Sequence, residues 1–307
     1  MSDSNRVSIK YVKEVTPGTT PVDDAGWKSL RYNTQSLAGQ PNTAISDEIR
    51  SDRHVSDLLL VGQEVGGAIN TEFSYGSYDD FLESAMGAAW ATNVKKAGVV
   101  DDFYSIEVGY EDWTPIQYLQ FKGMRIGGFN FNFPYGEKIT GGFQLVGFEQ
   151  LDSTTSLVGA GSTAAVGTTD IMNGSSDVSG IKIDTVAATD IFKSISLNLN
   201  NTPRAIEGLG TIGARNQKVG RSLITGSLET YFDDITLYNK LLASTAVELE
   251  WTVSDGTSSY AFLLPKIKFT SGAPNAGGVD SDVMMPLDFT ALYDTTEATN
   301  LKITRTP

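Results

Sequence analysis

Few residues in this sequence have the types and spacing that catalysis or metal binding requires. His54 is the sole histidine and lies in a polar run, so we expect a solvated or interface side chain rather than a catalytic one. Adjacent acids that could act as general acids or bases, or bind a cation, form three pairs: Asp79 with Asp80, Asp101 with Asp102, and Asp233 with Asp234. Two of these pairs open predicted helices, where negative charge is already favourable. The acid pairs therefore do not predict catalysis.

Two further patterns have the form of binding motifs without the context that binding needs. L-V-G-A-G-S-T-A-A, from Leu157, has the nucleotide-fingerprint form G-x-G-x-x-A, but no strong strand precedes it and no amphipathic helix follows. Phe129, Phe131 and Phe133 could stack bases, yet they have no basic neighbours, so we interpret them as a core face. The sequence therefore predicts neither an enzyme nor a cofactor.

Composition narrows the function classes further. The 307 residues include 23 basic and 37 acidic ones, for a net charge of -14, and no long Lys/Arg cluster occurs. A protein that clamps nucleic acid needs a basic surface, so ordinary DNA binding is disfavoured. With no cysteine there is no disulfide or thiolate zinc site. We expect no transmembrane helix and no secretory signal, because no long apolar run occurs and the N-terminus lacks an apolar core.

Two short helices are predicted. Residues 78–90 follow Ser77, a good N-cap, and carry Asp79 and Asp80 in the first turn. Apolar residues then recur at three- and four-residue spacing: Phe81, Leu82, Ala85, Met86, Ala89 and Trp90. Residues 233–243 form the second helix, whose apolar members are Ile235, Leu237, Leu241 and Leu242.

Most of the remaining chain has the alternation of strands. The predicted strands are residues 6–15, 28–33, 55–63, 67–75, 103–111, 115–125, 129–133, 139–148, 191–200, 221–232, 247–253, 260–270 and 283–293. Strands 129–133 and 139–148 form a hairpin through the turn at 134–138. Residues 153–180 are rich in Gly, Ser, Thr and Ala, and we interpret them as a linker or a long mobile loop.

The two halves resemble each other in five segments that occur in the same order. The matches begin at Lys28 and Lys193, Ile69 and Ile224, Tyr78 and Phe232, Ser105 and Val247, and Tyr118 and Ala261. This order favours an internal duplication, although two β-rich halves of similar composition would be the alternative. The predicted fold is mainly β, with a β-sandwich or part-barrel domain in residues 1–151, which include an N-terminal arm, and another in 181–307. Each has one short helix, and a flexible segment at 152–180 joins them.

Several stretches together resemble the major tail tube proteins of long-tailed bacteriophages. These are S-D-E-I-R-S-D-R at 46–53, G-G-A-I-N-T-E-F-S-Y-G at 66–76, Y-D-D-F-L-E-S-A-M-G-A-A-W at 78–90 and F-K-G-M-R-I-G-G at 121–128. The specific matches cover about residues 41–148. The resemblance implies tail-tube-type β-sandwich domains in a structural virion protein, assembled in the host cytoplasm. Its rings would stack into a hollow tail that conducts the genome DNA during ejection.

The resemblance also implies partners. A tape measure protein would occupy the lumen, tail terminator and distal tail proteins would lie at the ends, and DNA would be present only in transit, without membrane insertion. Two domains per chain favour trimeric rings with pseudo-sixfold symmetry over hexameric rings, and the likeness is to the non-contractile kind of tail. The alternatives are another ring-forming tail component, such as a terminator or baseplate protein, and a β-sandwich adhesin or carbohydrate-binding module.

Two sets of residues are candidates for roles in such a tube. Acids that could face the lumen and repel DNA phosphates are Glu107, Glu111, Glu229, Glu248 and Glu250. Exposed strand faces often alternate charged and apolar residues, which explains these acids equally well. Candidates for contacts between subunits are Asp47, Glu48, Arg50, Asp52, Arg53, Arg204 and Arg215, which lie in the long polar loops before residue 54 and at 202–219.

Overall fold

The computed structural model describes residues 3–21, 26–159, 163–188 and 192–307. Most of these residues are in strands. In the described ranges the helices are a 3-10 turn at Ser4–Arg6 and two α-helices, α1 (Asp79–Met86) and α2 (Thr236–Leu242). The prediction of a mainly β chain with two short α-helices is confirmed. Part of the predicted N-terminal arm (22–25), the middle of the G-x-G-x-x-A segment (160–162) and the start of the predicted strand at 191 lie outside the described residues.

The strands fall into two groups along the chain. Those of the first half are β1 (Val7–Lys13), β2 (Lys28–Ser29), β3 (Thr34–Gln35), β4 (Ala38–Ile45), β5 (Leu58–Glu72), β6 (Val94–Lys96), β7 (Tyr104–Tyr110), β8 (Gln117–Pro134), β9 (Thr140–Gly147) and β10 (Glu149–Ser153). Those of the second half are β11 (Val178–Ile183), β12 (Val186–Ala187), β13 (Phe192–Asn200), β14 (Arg204–Ile206), β15 (Asn216–Lys218), β16 (Leu223–Tyr231), β17 (Val247–Ser254), β18 (Ser259–Gly272), β19 (Asn275–Ala276), β20 (Val283–Ala291) and β21 (Lys302–Thr306).

Strand β8 connects two sheets. Its N-terminal part pairs with β7 and β10, and β7 continues to β1 and β2. Its C-terminal part lies in a larger antiparallel sheet with the order β5–β9–β8–β13–β16–β20–β18. Between these parts Gly123 has a φ of 63°, a left-handed conformation that glycine adopts without strain. The strand therefore turns a corner at Gly123 and passes from one layer to the other.

Two pairs of predicted strands are single strands in the structure. Predicted strands 115–125 and 129–133 form the continuous β8, and 55–63 and 67–75 form most of β5. Gly67 and Gly128, which lie at the edges of the predicted gaps, are inside these strands at points where another backbone comes close. A Cβ on Gly67 would lie 2.3 Å from the Ser36 carbonyl oxygen, and one on Gly128 would lie 2.1 Å from the Leu199 carbonyl oxygen. These glycines permit close approach rather than ending the strands.

The strands of the two halves pair in the same order. In the first half β5, β9, β8, β7 and β1 are successive neighbours, and in the second half β16, β20, β18, β17 and β11 are. The flanking strands also correspond. Strands β3 and β4 pair with β5 in the first half, and β13 pairs with β16 in the second. Likewise β10 pairs with β8, and β21 pairs with β18. Helix α1 follows β5 and packs on β8, while α2 follows β16 and packs on β18.

Irregularities of register also occur at corresponding places. The β7–β8 register shifts between Tyr104 and Ile106, and the β17–β18 register shifts between Val247 and Leu249. On the other side of β8 the register with β9 shifts between Ile126 and Gly128. The matching shift in the second half lies between Phe269 and Ser271, where β18 meets β20. Residues of the two halves can therefore be matched one to one along these strands.

This matching corrects three of the four sequence matches that begin in strands. Ser105 corresponds to Glu248 rather than to Val247, because the register shifts align Tyr104 with Val247 and Ile106 with Leu249. Ile69 corresponds to Leu228 rather than to Ile224, because these two residues lie opposite corresponding positions of β9 and β20. The match between Lys28 and Lys193 is also wrong, since Lys28 lies in β2 beside β1, whereas β13 corresponds to β3 and β4. The two segments have similar sequences, but their strands pair with different neighbours.

The helices also differ in detail from their prediction. Ser77 is not the N-cap: Tyr78 holds that position, and the Ser77 hydroxyl lies 2.7 Å from the Ser74 hydroxyl. Helix α1 ends at Gly87, whose left-handed φ of 62° stops it before Ala89, which is exposed. The acids Asp233 and Asp234 precede α2 instead of forming its first turn. Asp234 Oδ1 nonetheless accepts a hydrogen bond from the Thr236 N–H, 2.7 Å away.

The core is continuous across the two halves. Phe133 in β8 contacts Trp251 in β17, with ring centroids 5.5 Å apart, and Phe73 contacts Tyr260. The segment predicted as a linker lies against the first half at several points. Met172 is fully buried, and its N–H donates to the Phe73 carbonyl at 3.0 Å. Aromatic packing and strand pairing thus join the halves directly.

Candidate assembly surfaces

The charged run predicted as a subunit contact forms the tip of the β4–β5 hairpin. Asp47, Glu48, Arg50, Asp52 and Arg53 are all exposed there. Arg50 pairs with Asp52 through Nε to Oδ1 at 3.0 Å and Nη2 to Oδ2 at 2.6 Å. This bidentate contact lowers the pKa of the Asp52 carboxyl. His54 is exposed at the same tip, and its N–H donates to Asp52. The tip thus offers charged groups to a partner.

The arms of this hairpin expose apolar side chains on both faces. Thr43 lies opposite Leu60 and Ile45 opposite Leu58. Ile45, Leu58 and Leu60 are 61%, 59% and 54% exposed. Leu59, on the other face, is 50% exposed. An isolated two-stranded ribbon is only marginally stable, and large exposed apolar patches usually mark interaction sites. This hairpin is therefore a candidate surface for contact with another protein chain.

The corresponding loop of the second half, residues 201–222, lies at the same end of the molecule. Its strands β14 and β15 form a small separate hairpin that carries Arg204, and Arg215 follows in the return segment. The Gln63 N–H of β5 donates to the Ile212 carbonyl oxygen of this loop at 2.8 Å. A groove of about 920 Å³ separates the loop from the β4–β5 hairpin. The 201–222 loop therefore lies beside the arms of the β4–β5 hairpin.

The large sheet has one apolar face in the core and one polar face in solvent. Along the polar face a row of neighbouring residues crosses both halves: Asn70, Gly142, Asn130, Asn198, Thr225, Thr290 and Lys268. The next row is Glu72, Thr140, Asn132, Ser196, Ser227, Asp288 and Ser271. Amides and hydroxyls occupy the middle of both rows, and charges lie towards the ends. The face is therefore polar but nearly neutral at its centre.

The five acids predicted to face a lumen do not share one surface. Glu229 lies on the polar face of the large sheet, 3.4 Å from Lys193. Glu107 is only 2% exposed, and its carboxylate accepts hydrogen bonds from Ser156 Oγ and the Leu157 N–H, both at 2.5 Å. Glu111 is exposed just beyond β7.

The remaining two acids of that set, Glu248 and Glu250, lie on β17. Glu250 lies 3.1 Å from Lys182. Burial and the neighbouring Glu250 raise the pKa of Glu248. Four of the five acids thus lie on or just beyond β7 and β17, and the buried Glu107 does not line an open surface of the monomer.

Two strand edges of the large sheet have no partner among the described residues. Beyond Ile267, β18 pairs with β20 alone, and its continuation β19 also pairs only with β20. At the opposite end of the sheet β3 and β4 pair only with β5. The corresponding edges inside the chain, the end of β8 and the outer side of β13, pair with each other from Gly128 opposite Asn200 to Pro134 opposite Ser194.

The acid pairs are engaged in structural contacts. Asp79 accepts from Tyr260 Oη and pairs with Arg305 Nη1, both at 2.5 Å. Asp101 pairs with Arg125 at 2.6 Å. In the part of the chain that the structure describes, no group of three or more His, Cys, Asp or Glu side chains could hold a metal ion. None of the helices described here is long and apolar enough to span a membrane.

Strand β21 covers part of the first half. It pairs with β18 on one side and with β6 on the other, where Lys302 lies opposite Lys96. The Arg305 guanidinium lies 4.6 Å from the centre of the Trp90 ring. Lys95 in β6 is buried beneath the same ring, and desolvation lowers the pKa of its ammonium to about 8.

One of two comparisons with known proteins identifies a family for this chain. The family model described as phage tail tube protein matches residues 4–291, which include the first half from Ser4 and the second half up to the end of β20. A search of curated proteins found no match. Because the match extends over most of the 307 residues, the chain belongs to the phage tail tube protein family.

Proposed function

We propose that the chain forms trimeric rings that stack into the hollow phage tail tube, through which the genome passes during ejection. Membership of the family makes it a structural component of the virion tail that assembles with itself into a tube. Ring order, stacking and DNA passage are our inferences from the surfaces of the chain. Tape measure protein in the lumen and terminator and distal tail proteins at the ends complete the proposed set of partners.

The observation that carries this proposal is the junction between β8 and β13. It joins one half to the other through seven registered residue pairs, from Ser194 opposite Pro134 to Asn200 opposite Gly128. If the halves descend from an internal duplication, which their shared pairing order and register shifts support, this junction is a contact between two copies of one unit. The edge formed by β18 and β19 and the edge formed by β3 and β4 are the two halves of the same contact. Joining them between chains repeats the junction and removes both exposed edges.

This contact is head-to-tail, so repeating it generates a closed ring if the rotation per unit divides a full turn. Two units per chain then make a sixfold arrangement of units from three chains. Hexameric rings of twelve units are the alternative. The hairpin tip with Arg50 and Arg53 and the 201–222 loop with Arg204 and Arg215 lie at one end of the sheet, which suits contacts between stacked rings.

For the bore we propose the polar face of the large sheet. Its central residues are amides and hydroxyls, and such groups give DNA phosphates no fixed cations to bind. Of the predicted lumen acids, Glu229 lies on this face, whereas Glu111, Glu248 and Glu250 would face elsewhere. Net charge of -14 adds a general repulsion for phosphate. In this proposal the bore avoids DNA adhesion mainly through the absence of cations at its centre.

The test is a register-specific disulfide between chains. Inside the chain Asn130 lies opposite Asn198. The corresponding residues on the free edges are Ala273 and Ala38, and the chain has no native cysteine. In tubes of the variant A38C/A273C, oxidation should link neighbouring chains, since directly opposed strand residues lie within disulfide reach.

Denaturing electrophoresis should then show dimers and closed trimers and nothing larger. The control A38C/A276C displaces one cysteine along the strand and should not crosslink. A ladder that continues to six chains would overturn the trimeric ring in favour of the hexamer. Intact tubes without any crosslink would overturn the proposed edge-to-edge contact.

A further inference from the structure

Helix α2 has an uncovered apolar face. Ile235, just before the helix, is 57% exposed, and Leu242 at its end is 68% exposed. No residue of α2 is buried. In the corresponding helix α1, five residues are buried: Phe81, Leu82, Ser84, Ala85 and Met86. The two helices thus occupy matching positions, but only one is covered.

Part of the difference lies in the segment that follows each helix. After α1, residues 87–103 fold back over its end, where the Gly98 N–H donates to the Met86 carbonyl at 2.8 Å and the Val100 N–H to the Gly87 carbonyl at 2.7 Å. After α2, residues 243–246 lead directly into β17. Among its described residues, the second half therefore supplies no equivalent cover for Leu242.

The other part of the difference lies in contacts from the opposite half. Tyr260 and Arg305, both of the second half, bind Asp79 in the first turn of α1. Asn201, which follows β13, donates from Nδ2 to the Ala85 carbonyl oxygen at 2.6 Å. Both ends of α1 are therefore held by the neighbouring unit. Helix α2 has no corresponding neighbour within the described part of the chain.

We infer that α2 is a docking site for the first half of a second copy of this chain. This inference rests on the proposed ring, in which the next chain lies against the second half as the second half lies against the first. The residues of that copy that correspond to Asn201, Tyr260 and Arg305 are Pro41, Gln117 and Thr154, by the strand registers.

These three residues define the occupant's surface, which combines β4, the start of β8 and the end of β10. Pro41 is exposed on it and is apolar, which matches Ile235 and Leu242. The short connection after α2 leaves room for this surface to contact the helix directly.

The first experiment compares L242Q with L242M. The glutamine variant should raise the protein concentration needed for tube formation by about tenfold, because it removes an apolar contact from each interface. The methionine variant should assemble like the wild type. Melting temperatures of the unassembled proteins should agree, since Leu242 is mostly exposed in the monomer. Normal assembly of L242Q would overturn the inference.

The second experiment identifies the occupant. A benzophenone amino acid at position 242 is photoactivated in assembled tubes, and the linked peptides are determined by mass spectrometry. Linkage to residues near 41, 117 or 154 of another chain supports the inference, and linkage to any other surface overturns it. The benzophenone-bearing chain also carries the substitutions A38C/A273C. If their disulfide forms between chains but the crosslink from position 242 goes elsewhere, the ring contact is supported and only the α2 inference is overturned.

Discussion

Replacing Gly128 with alanine should destabilise the junction between the two halves. Gly128 lies in β8 at the register shift, opposite Asn200 of β13. An added Cβ would lie 2.1 Å from the Leu199 carbonyl oxygen and 3.2 Å from its carbonyl carbon. Ordinary contact begins at about 3.4 Å, so β13 would have to move by more than 1 Å. Both atoms belong to backbone in central strands, where no flexible side chain can yield.

Forcing extra volume into such a packed site typically costs about 1–3 kcal/mol. We expect G128A to lower the free energy of unfolding of the unassembled protein by about 2 kcal/mol. Urea denaturation followed by circular dichroism measures this, and the dependence on urea should be unchanged because the exposed area is similar. The melting temperature should fall by a few degrees.

The control is N132A on the same strand and face. Asn132 is exposed, and we expect a change within about 0.5 kcal/mol. If G128A also falls within about 0.5 kcal/mol of the wild type, the backbone at the junction is not as closely packed as described. The reasoning that treats β8 and β13 as a rigid contact would then be refuted.

Three further outcomes can be measured. E14Q should lower the free energy of unfolding, measured by urea denaturation, by about 2 kcal/mol. The buried Glu14 carboxylate accepts hydrogen bonds from Gly18 N, Ser105 Oγ and Gly123 N, and an amide cannot accept all three. An unchanged free energy of unfolding would contradict this prediction. The pKa of Lys95 is about 8 in the folded protein and 10.5 for an unperturbed lysine, so between these pH values the unfolded chain binds a proton that the folded chain does not. This difference makes the free energy of unfolding rise with pH over that range. In thermal melts across the same range, K95M should show a smaller rise. R50A/R53A should hinder tube formation while the monomer keeps its melting temperature, and unchanged tube yield in sedimentation would remove the proposed role of the hairpin tip.

The sequence predicted the helices and strands that depend on the spacing of apolar residues close together in the chain. The stripe of Phe81, Leu82, Ala85 and Met86 predicted α1, and all four residues are buried. The alternation of Phe129, Phe131 and Phe133 predicted one buried face of β8 and the hairpin with β9. Alternation depends only on neighbours two residues away, so it is visible in the sequence.

The same alternation also contained the polar face of the large sheet. Asn130 and Asn132 alternate with those phenylalanines, as Ser196 and Asn198 alternate with Leu197. Their assembly into one surface was not predictable, because it depends on β8 pairing with β13 across a long sequence separation. Local sequence does not encode which of several similar strands becomes the neighbour.

Glu107 illustrates the limit for single residues. Its alternation with Ile106 and Val108 suggested an exposed carboxylate. In the structure residues 153–157 cross over it, and Ser156 and Leu157 donate hydrogen bonds to it. A covering segment distant in sequence leaves no trace in the local pattern. Glu14 was missed for the same reason, since its donors come from separate strands and a turn.

The pairing of β21 with β6 also sets an order of events during synthesis. Ribosomes add roughly 5–20 residues per second, and domains generally fold from the N-terminus onwards. The edge of β6 at Lys96 pairs with Lys302, so this edge has no strand partner until nearly all of the second half has been translated. The Trp90 ring likewise gains Arg305 only then. A nascent first half therefore lacks its final strand partner on this side, and this surface is completed only after the second half has been synthesised.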